Sequence, residues 1–164
     1  MSEALKTVPK ADRVETGVEH VPAIVAGLNE AVADTYCLLF KTHAYHWNVE
    51  GPLFHSIHVL TEAQYGNLFA AADALAERIR ALGHLAPAKL SSITKASCVS
   101  DKAKLPSAQE MVEDLASDHE AIARRMRKAI EAAEKGNDPV TADLLTSRCA
   151  FHEKAAWMLR ATAK

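Results

Sequence analysis

The chain has 164 residues, a length suited to one domain. Apolar residues make up 49% and charged residues 24%, which allows a packed core and excludes disorder over the whole chain. Lys and Arg total 19 against 21 Asp and Glu, a formal charge of −2, which argues against a fold-wide basic surface for nucleic acid.

Residues 1–18 are polar and set Lys6, Lys10 and Arg13 against Glu3, Asp12 and Glu15. They are expected to form a mobile tail ahead of a domain spanning 19–164. From about Pro22 the apolar spacing turns helical through Ile24, Leu28, Val32 and Leu39, and a first helix can run to Asn48. Gly51-Pro52 breaks it, because proline disfavours helix at the residue before it. A second helix is expected from Phe54 to Leu82, with Gly83 as its left-handed stop. Residues 84–106 hold two prolines and a serine pair, the marks of a long connection with room for a short helical piece. Ser107 and Glu110 form a capping box that opens a third long helix, ended at Lys135-Gly136. Asp138-Pro139 restarts the chain with an N-cap acid and a first-turn proline, and a fourth helix runs to the C-terminus. Cys37 and Cys149 fall on apolar stripes and are expected in the core.

The fold class is therefore all-α. Two short turns make two antiparallel hairpins, and the long second connection crosses the bundle, the connectivity of a ferritin-like four-helix bundle, although turn lengths alone leave other bundles open. No apolar run approaches the roughly 18 residues of a membrane span, so no membrane partner is expected. The first 18 residues lack a signal-peptide core. Three scattered cysteines do not make a disulfide framework, and the expected location is a reducing cytoplasm.

The chemistry is concentrated in His43, His46, His55, His58, Glu62, Asp73 and Glu77. His46 and His58 flank the Gly51-Pro52 break almost symmetrically, so a hairpin brings them to one height. Counting about 100° per residue along the second helix from His58, Glu62 falls at about 40°, Asp73 at about 60° and Glu77 at about 100°. Leu68, Leu75, Ile79 and Leu82 lie at about −60° to −120°, a separate core face. Tyr65 and Phe69 sit beside the ligand face, which suggests that another chain covers it. Fifteen residues separate His58 from Asp73, about 22 Å of helix, and metal–ligand bonds are near 2 Å, so one chain cannot bring both pairs to one ion. A two-fold dimer with antiparallel second helices can, and makes two such sites. Imidazole plus carboxylate suits iron(II) or zinc, and open positions favour redox-active iron. Trp47 and Tyr65 are candidate electron relays. His43 and His55 are expected to be solvent-exposed.

The run His46-Trp47-Asn48-Val49-Glu50-Gly51-Pro52-Leu53-Phe54 with His58, the group Asp73 and Ala76-Glu77-Arg78, and the segment His152-Glu153-Lys154 with Trp157-Met158-Leu159 resemble the Dps family, the mini-ferritins named as DNA-binding proteins from starved cells. The resemblance covers about residues 20–162. It implies a homo-oligomer, a hollow dodecamer built from two-fold dimers, that oxidises Fe(II), preferably with hydrogen peroxide, and stores Fe(III) mineral, protecting DNA from oxidative damage. It maps the iron ligands onto His46, His58, Glu62, Asp73 and Glu77, with Glu62 where many members have Asp. It also implies acidic entry pores, for which Asp143 is the first candidate and Asp138 the second, and DNA contact through the N-terminal tail. Two alternatives are a non-catalytic DNA-compacting shell and a zinc-binding structural oligomer.

Overall fold

The structure, a computed structural model, describes residues 3–12 and 14–164. Met1, Ser2 and the tail cation Arg13 lie outside the described residues. Regular structure among the described residues is helical throughout. A 3₁₀ turn at Glu3–Lys6 precedes α1 (Val21–Asn48), α2 (Phe54–Ala81), the short α3 (Leu90–Ala96), α4 (Ala108–Lys135) and α5 (Pro139–Thr162). The expected boundaries hold to within a residue or two, and the short piece in the long connection is α3.

Each end has a local cause. Ser107 Oγ accepts from the Glu110 amide while the Glu110 carboxylate accepts from the Ser107 amide, the reciprocal cap of α4. Gly83 closes α2 at φ 81°, with its amide on Arg80 O and the His84 amide on Ile79 O, a Schellman stop. At the end of α4 the left-handed residue is Asn137, φ 53°, rather than Gly136. Gly136 is needed for space instead. A Cβ there would meet the Glu19 carbonyl at 2.5 Å and Ile24 Cδ1 at 2.6 Å, because the incoming chain docks its Glu19 amide on Gly136 O.

α1 pairs with α2, α4 with α5, and α1 packs on α4. Lys41 contacts Asp118 and Arg125 contacts Asp34, which makes α1 and α4 antiparallel. Arg148 contacts Asn67 and Asp138 contacts Arg78, which does the same for α2 and α5. The core between them is aliphatic: Leu28, Leu38, Leu68, Leu75, Ile79, Leu115, Ile122, Leu145 and Leu159 are all buried. Cys149 is buried there as well, whereas Cys37 is only half-buried. α1 and α4 approach closely at Gly27, where a Cβ would lie 2.7 Å from Ala129 Cβ. The crossover is pinned by polar contacts. The Cys98 amide donates to Asp34, Arg125 donates to Ala96 O, and Lys41 donates to Ser100 O.

One expectation needs correcting. α1 is long and apolar enough to span a bilayer by length and composition, although half of its most apolar stretch is packed inside the bundle. It reads as apolar because it is a core helix with two buried flanks, α2 and α4.

Asp138 caps α5 as expected, and its burial bears on the second role expected of it, at an entry pore. Its carboxylate has no exposed surface and accepts from the Arg78 guanidinium at 2.8 Å and from the Thr141 amide at 2.9 Å. Burial pushes its pKa up, but the Thr141 hydroxyl and amide and the Arg78 charge outweigh it and hold the group below 3.8. It is a cap and an ion-pair partner rather than an acid lining a pore. A group with a lowered folded-state pKa stabilises above its unfolded pKa and loses that contribution as pH falls through the folded value. Asp138→Ala should therefore cost about 3 kcal/mol at neutral pH, and its deficit against the parent chain should shrink as pH falls below 3.8. Denaturant melts at a series of pH values measure this.

Candidate metal centre

The α1–α2 turn builds the first half of the site. α1 ends with the Val49 amide on Tyr45 O, Gly51 takes φ 103°, and the Phe54 amide returns to Gly51 O. No atom crowds Gly51, so its requirement is the backbone angle that L residues avoid. The turn sets His46 against His58 with ring centroids 3.7 Å apart and planes 17° apart.

Two reciprocal hydrogen bonds lock them. His46 Nδ1 lies 2.9 Å from His58 O, and His58 Nδ1 lies 2.9 Å from His46 O. A carbonyl only accepts, so both Nδ1 atoms carry a proton, and in the neutral ring it is Nε2 that keeps the lone pair. That is the tautomer a metal-binding imidazole needs, fixed by the kind of backbone contact that orients metal-bound histidines. Thr61, within α2, donates its hydroxyl back to Ile57 O at 2.7 Å. His46 is buried and His58 half-buried.

The carboxylates lie on the outer surface of α2. Glu62, one turn beyond His58, and Asp73 and Glu77 further along are all exposed, and none has a hydrogen bond or ion pair among the described residues. The cations nearest in sequence to the second pair are engaged elsewhere. Arg78 turns to Asp138 and Thr141, and Arg80 donates to His84 O and Lys10 O. Among the described residues no three His, Cys, Asp or Glu side chains of one chain converge as a metal site. The two halves stand about 22 Å apart on one straight helix.

A row of rings continues from the histidines. His43 stacks on Tyr65 at 4.3 Å and lies tilted by 40° against Trp47 at 4.1 Å, and Tyr65 stands edge-on to His46 at 5.1 Å. His43 is therefore half-buried between two aromatics rather than solvent-exposed. Its spacing of three from His46 and four from Trp47 on one helix face was the available signal. His55 is exposed, as is Asp143 in the first turns of α5. Trp47 and Phe40 on α1 and Phe69 on α2 expose 58%, 65% and 67% of their surface.

The ferritin-like domain family matches residues 25–164. An uncharacterized low temperature-induced protein of Nostoc sp. is 38% identical over 90% of this chain and 85% of its own length. DNA protection during starvation protein 2 of Bacillus anthracis is 36% identical over 84% of this chain and 94% of its own. The crystal structure of Dps from Staphylococcus aureus superposes with a TM-score of 0.85 at 33% identity, covering 90% of this chain and 98% of that one. Gly51→Ala should destabilise the chain by about 1–2 kcal/mol and loosen the His46–His58 stack. Denaturant melts, together with NMR chemical shifts of the two imidazoles, read both effects.

Proposed function

The chain belongs to the Dps group of the ferritin-like proteins, and from that membership we propose that it oxidises Fe(II) and stores the product as mineral inside an oligomeric shell. The single observation that supports this most is the His46–His58 pair, with both Nε2 lone pairs freed by reciprocal bonds to backbone carbonyls. It stands one helical turn from a carboxylate with no partner of its own, Glu62.

Iron is the substrate. In this reading His46, His58 and Glu62 of one protomer and Asp73 and Glu77 of a two-fold neighbour clasp it. The exposed Trp47, Phe40 and Phe69 lie beside the mating surface, and twelve protomers make the cage. Two Fe(II) ions each give up one electron. Peroxide accepts both electrons with two protons, its O–O bond breaks, and two waters leave, so no hydroxyl radical is released. The carboxylates favour the ferric charge that results. The protein acts by holding ions and oxidant together away from bulk water. Trp47 and Tyr65, both in ring contact with His43, are positioned to absorb a stray electron. Asp143, exposed near the start of α5, is the acid proposed for iron entry.

The relative from Bacillus anthracis carries DNA protection in its name. Removal of iron and peroxide protects DNA without touching it. Direct contact would fall to the tail, where Lys6 and Lys10 are exposed but stand near Asp12 and Glu15.

The test is anaerobic mixing of apoprotein with Fe(II) and peroxide, followed by ferric absorbance. His46→Ala with His58→Ala should slow oxidation by at least about tenfold, to the rate of iron in buffer. Asp73→Ala with Glu77→Ala should do the same. Co-assembly of the two double variants should restore about a quarter of the sites, since half the interfaces are mixed and each mixed interface holds one intact site. Full activity in either double variant, or no recovery on co-assembly, would overturn the reading. Zinc retention without iron oxidation would favour the structural alternative.

A further inference from the structure

The middle of the bundle holds polar groups that the iron chemistry on its outer face does not use. Four contacts fix the register there. His46 meets Thr61, Asn67 meets Arg148, Lys41 meets Asp118, and His119 meets His152. At about 1.5 Å of rise per residue, these place Gln64 of α2, His119 of α4, and Arg148 and His152 of α5 within about one turn of a common level.

All four side chains are buried, and none is satisfied. Arg148 is 8% exposed, Gln64 3%, and the two histidines 0%. Arg148 gives Nη1 to Asn67 Oδ1 at 2.7 Å and lays its guanidinium 4.3 Å over the Phe151 ring. Its Nε and Nη2, the two donors on one edge of the guanidinium, have no acceptor. Gln64 Oε1 and Nε2 are unpaired, as are Nε2 of His119 and Nε2 of His152.

The charge state makes this more than loose packing. Burial alone pushes Arg148 down, to about 10, so it remains a cation at neutral pH. Burial, then the Arg148 charge, pushes His119 down to about 3. Burial, then His119 and Arg148, pushes His152 to about 2. Both imidazoles are neutral, and Lys41 and Asp118 pair with each other at this level, so the four side chains carry the one positive charge of Arg148 with no carboxylate among them. A buried arginine without a counter-charge costs several kcal/mol. The unpaired donors have almost no accessible surface, so a carboxylate from a neighbouring subunit cannot reach them.

The histidine pair adds a directed donor. The Nδ1 atoms lie 2.9 Å apart, so one donates to the other and the two rings are opposite tautomers. One Nε2 therefore carries hydrogen and the other a lone pair. The donors outnumber the acceptors: two from Arg148, one imidazole N–H and the Gln64 amide, against one bare Nε2 and Gln64 Oε1.

We propose that each bundle encloses a small inorganic monoanion of the halide class, held by the Nε/Nη2 fork of Arg148 and completed by Gln64 and the His119–His152 pair. One water beside the anion donates to the two remaining acceptors. A transition-metal cation is disfavoured by the guanidinium in the same layer, and a dianion of sulfate size by the packing of the four helices.

Crystals of the full-length protein soaked in sodium bromide, with data collected at the bromine absorption edge, test the site. The expected result is an anomalous peak within about 3.5 Å of Arg148 Nε and Nη2. Absence of that peak, with ordinary water density at the fork, overturns the proposal. In solution, melting is compared in sodium chloride and sodium sulfate at matched ionic strength. Chloride should raise Tm by roughly 3 °C per tenfold increase above the dissociation constant, sulfate should not, and Arg148→Met should abolish the difference. An unchanged chloride effect in Arg148→Met contradicts the proposal. Should Arg148→Met fail to fold, Gln64→Leu should lower the occupancy of the bromide peak, and an undiminished peak would remove Gln64 from the site.

Discussion

A straight helix cannot be shortened, and the site depends on that constraint. α2 carries one potential ligand set near its start and another fifteen residues on, about 22 Å away at the rise of an α-helix. Nothing in the turn, the crossover or the core can fold that distance away. The ligand face and the aliphatic face of α2 stand side by side, so the same rigid rod that builds the core carries two half-sites outside it. In the proposed reading, a second copy running the other way would turn two half-sites into two whole ones.

The local geometry around His46 and His58 follows from the α1–α2 turn. Gly51 adopts an angle that brings the two helices together at once, and each imidazole then finds the carbonyl of the other's residue. Orientation and tautomer are thus settled by backbone atoms, before any ion arrives. That is an inexpensive form of preorganisation, because one of the two hydrogen bonds also satisfies the His46 carbonyl in the last turn of α1.

Much of this was legible in the order of the residues. The Gly51-Pro52 break, the Ser107 capping box and the apolar periodicity carry helix ends and the crossover, because those are local effects with one solution each. The imidazole and carboxylate faces followed from 3.6-residue counting. What escaped depended on contacts between distant segments. Gly136 was legible as a helix end, but not that it is small to admit the Glu19 carbonyl and Ile24. Asp138 was legible as the cap of α5 but not as the partner of Arg78, which sits 60 residues earlier and one helix away. His43 read as exposed because Tyr65 covers it from another helix. The burial of Arg148, His119 and His152 gave no sequence signal, since a charged or imidazole side chain on a helix is usually at the surface.

The account rests on two chains sharing one iron ion, and crystals soaked anaerobically with Fe(II) and measured at the iron absorption edge test that most directly. The account predicts an anomalous peak between His46, His58 and Glu62 of one protomer and Asp73 and Glu77 of its two-fold neighbour. A peak ligated wholly within a single protomer, or no iron at that face while iron binds elsewhere, would contradict it.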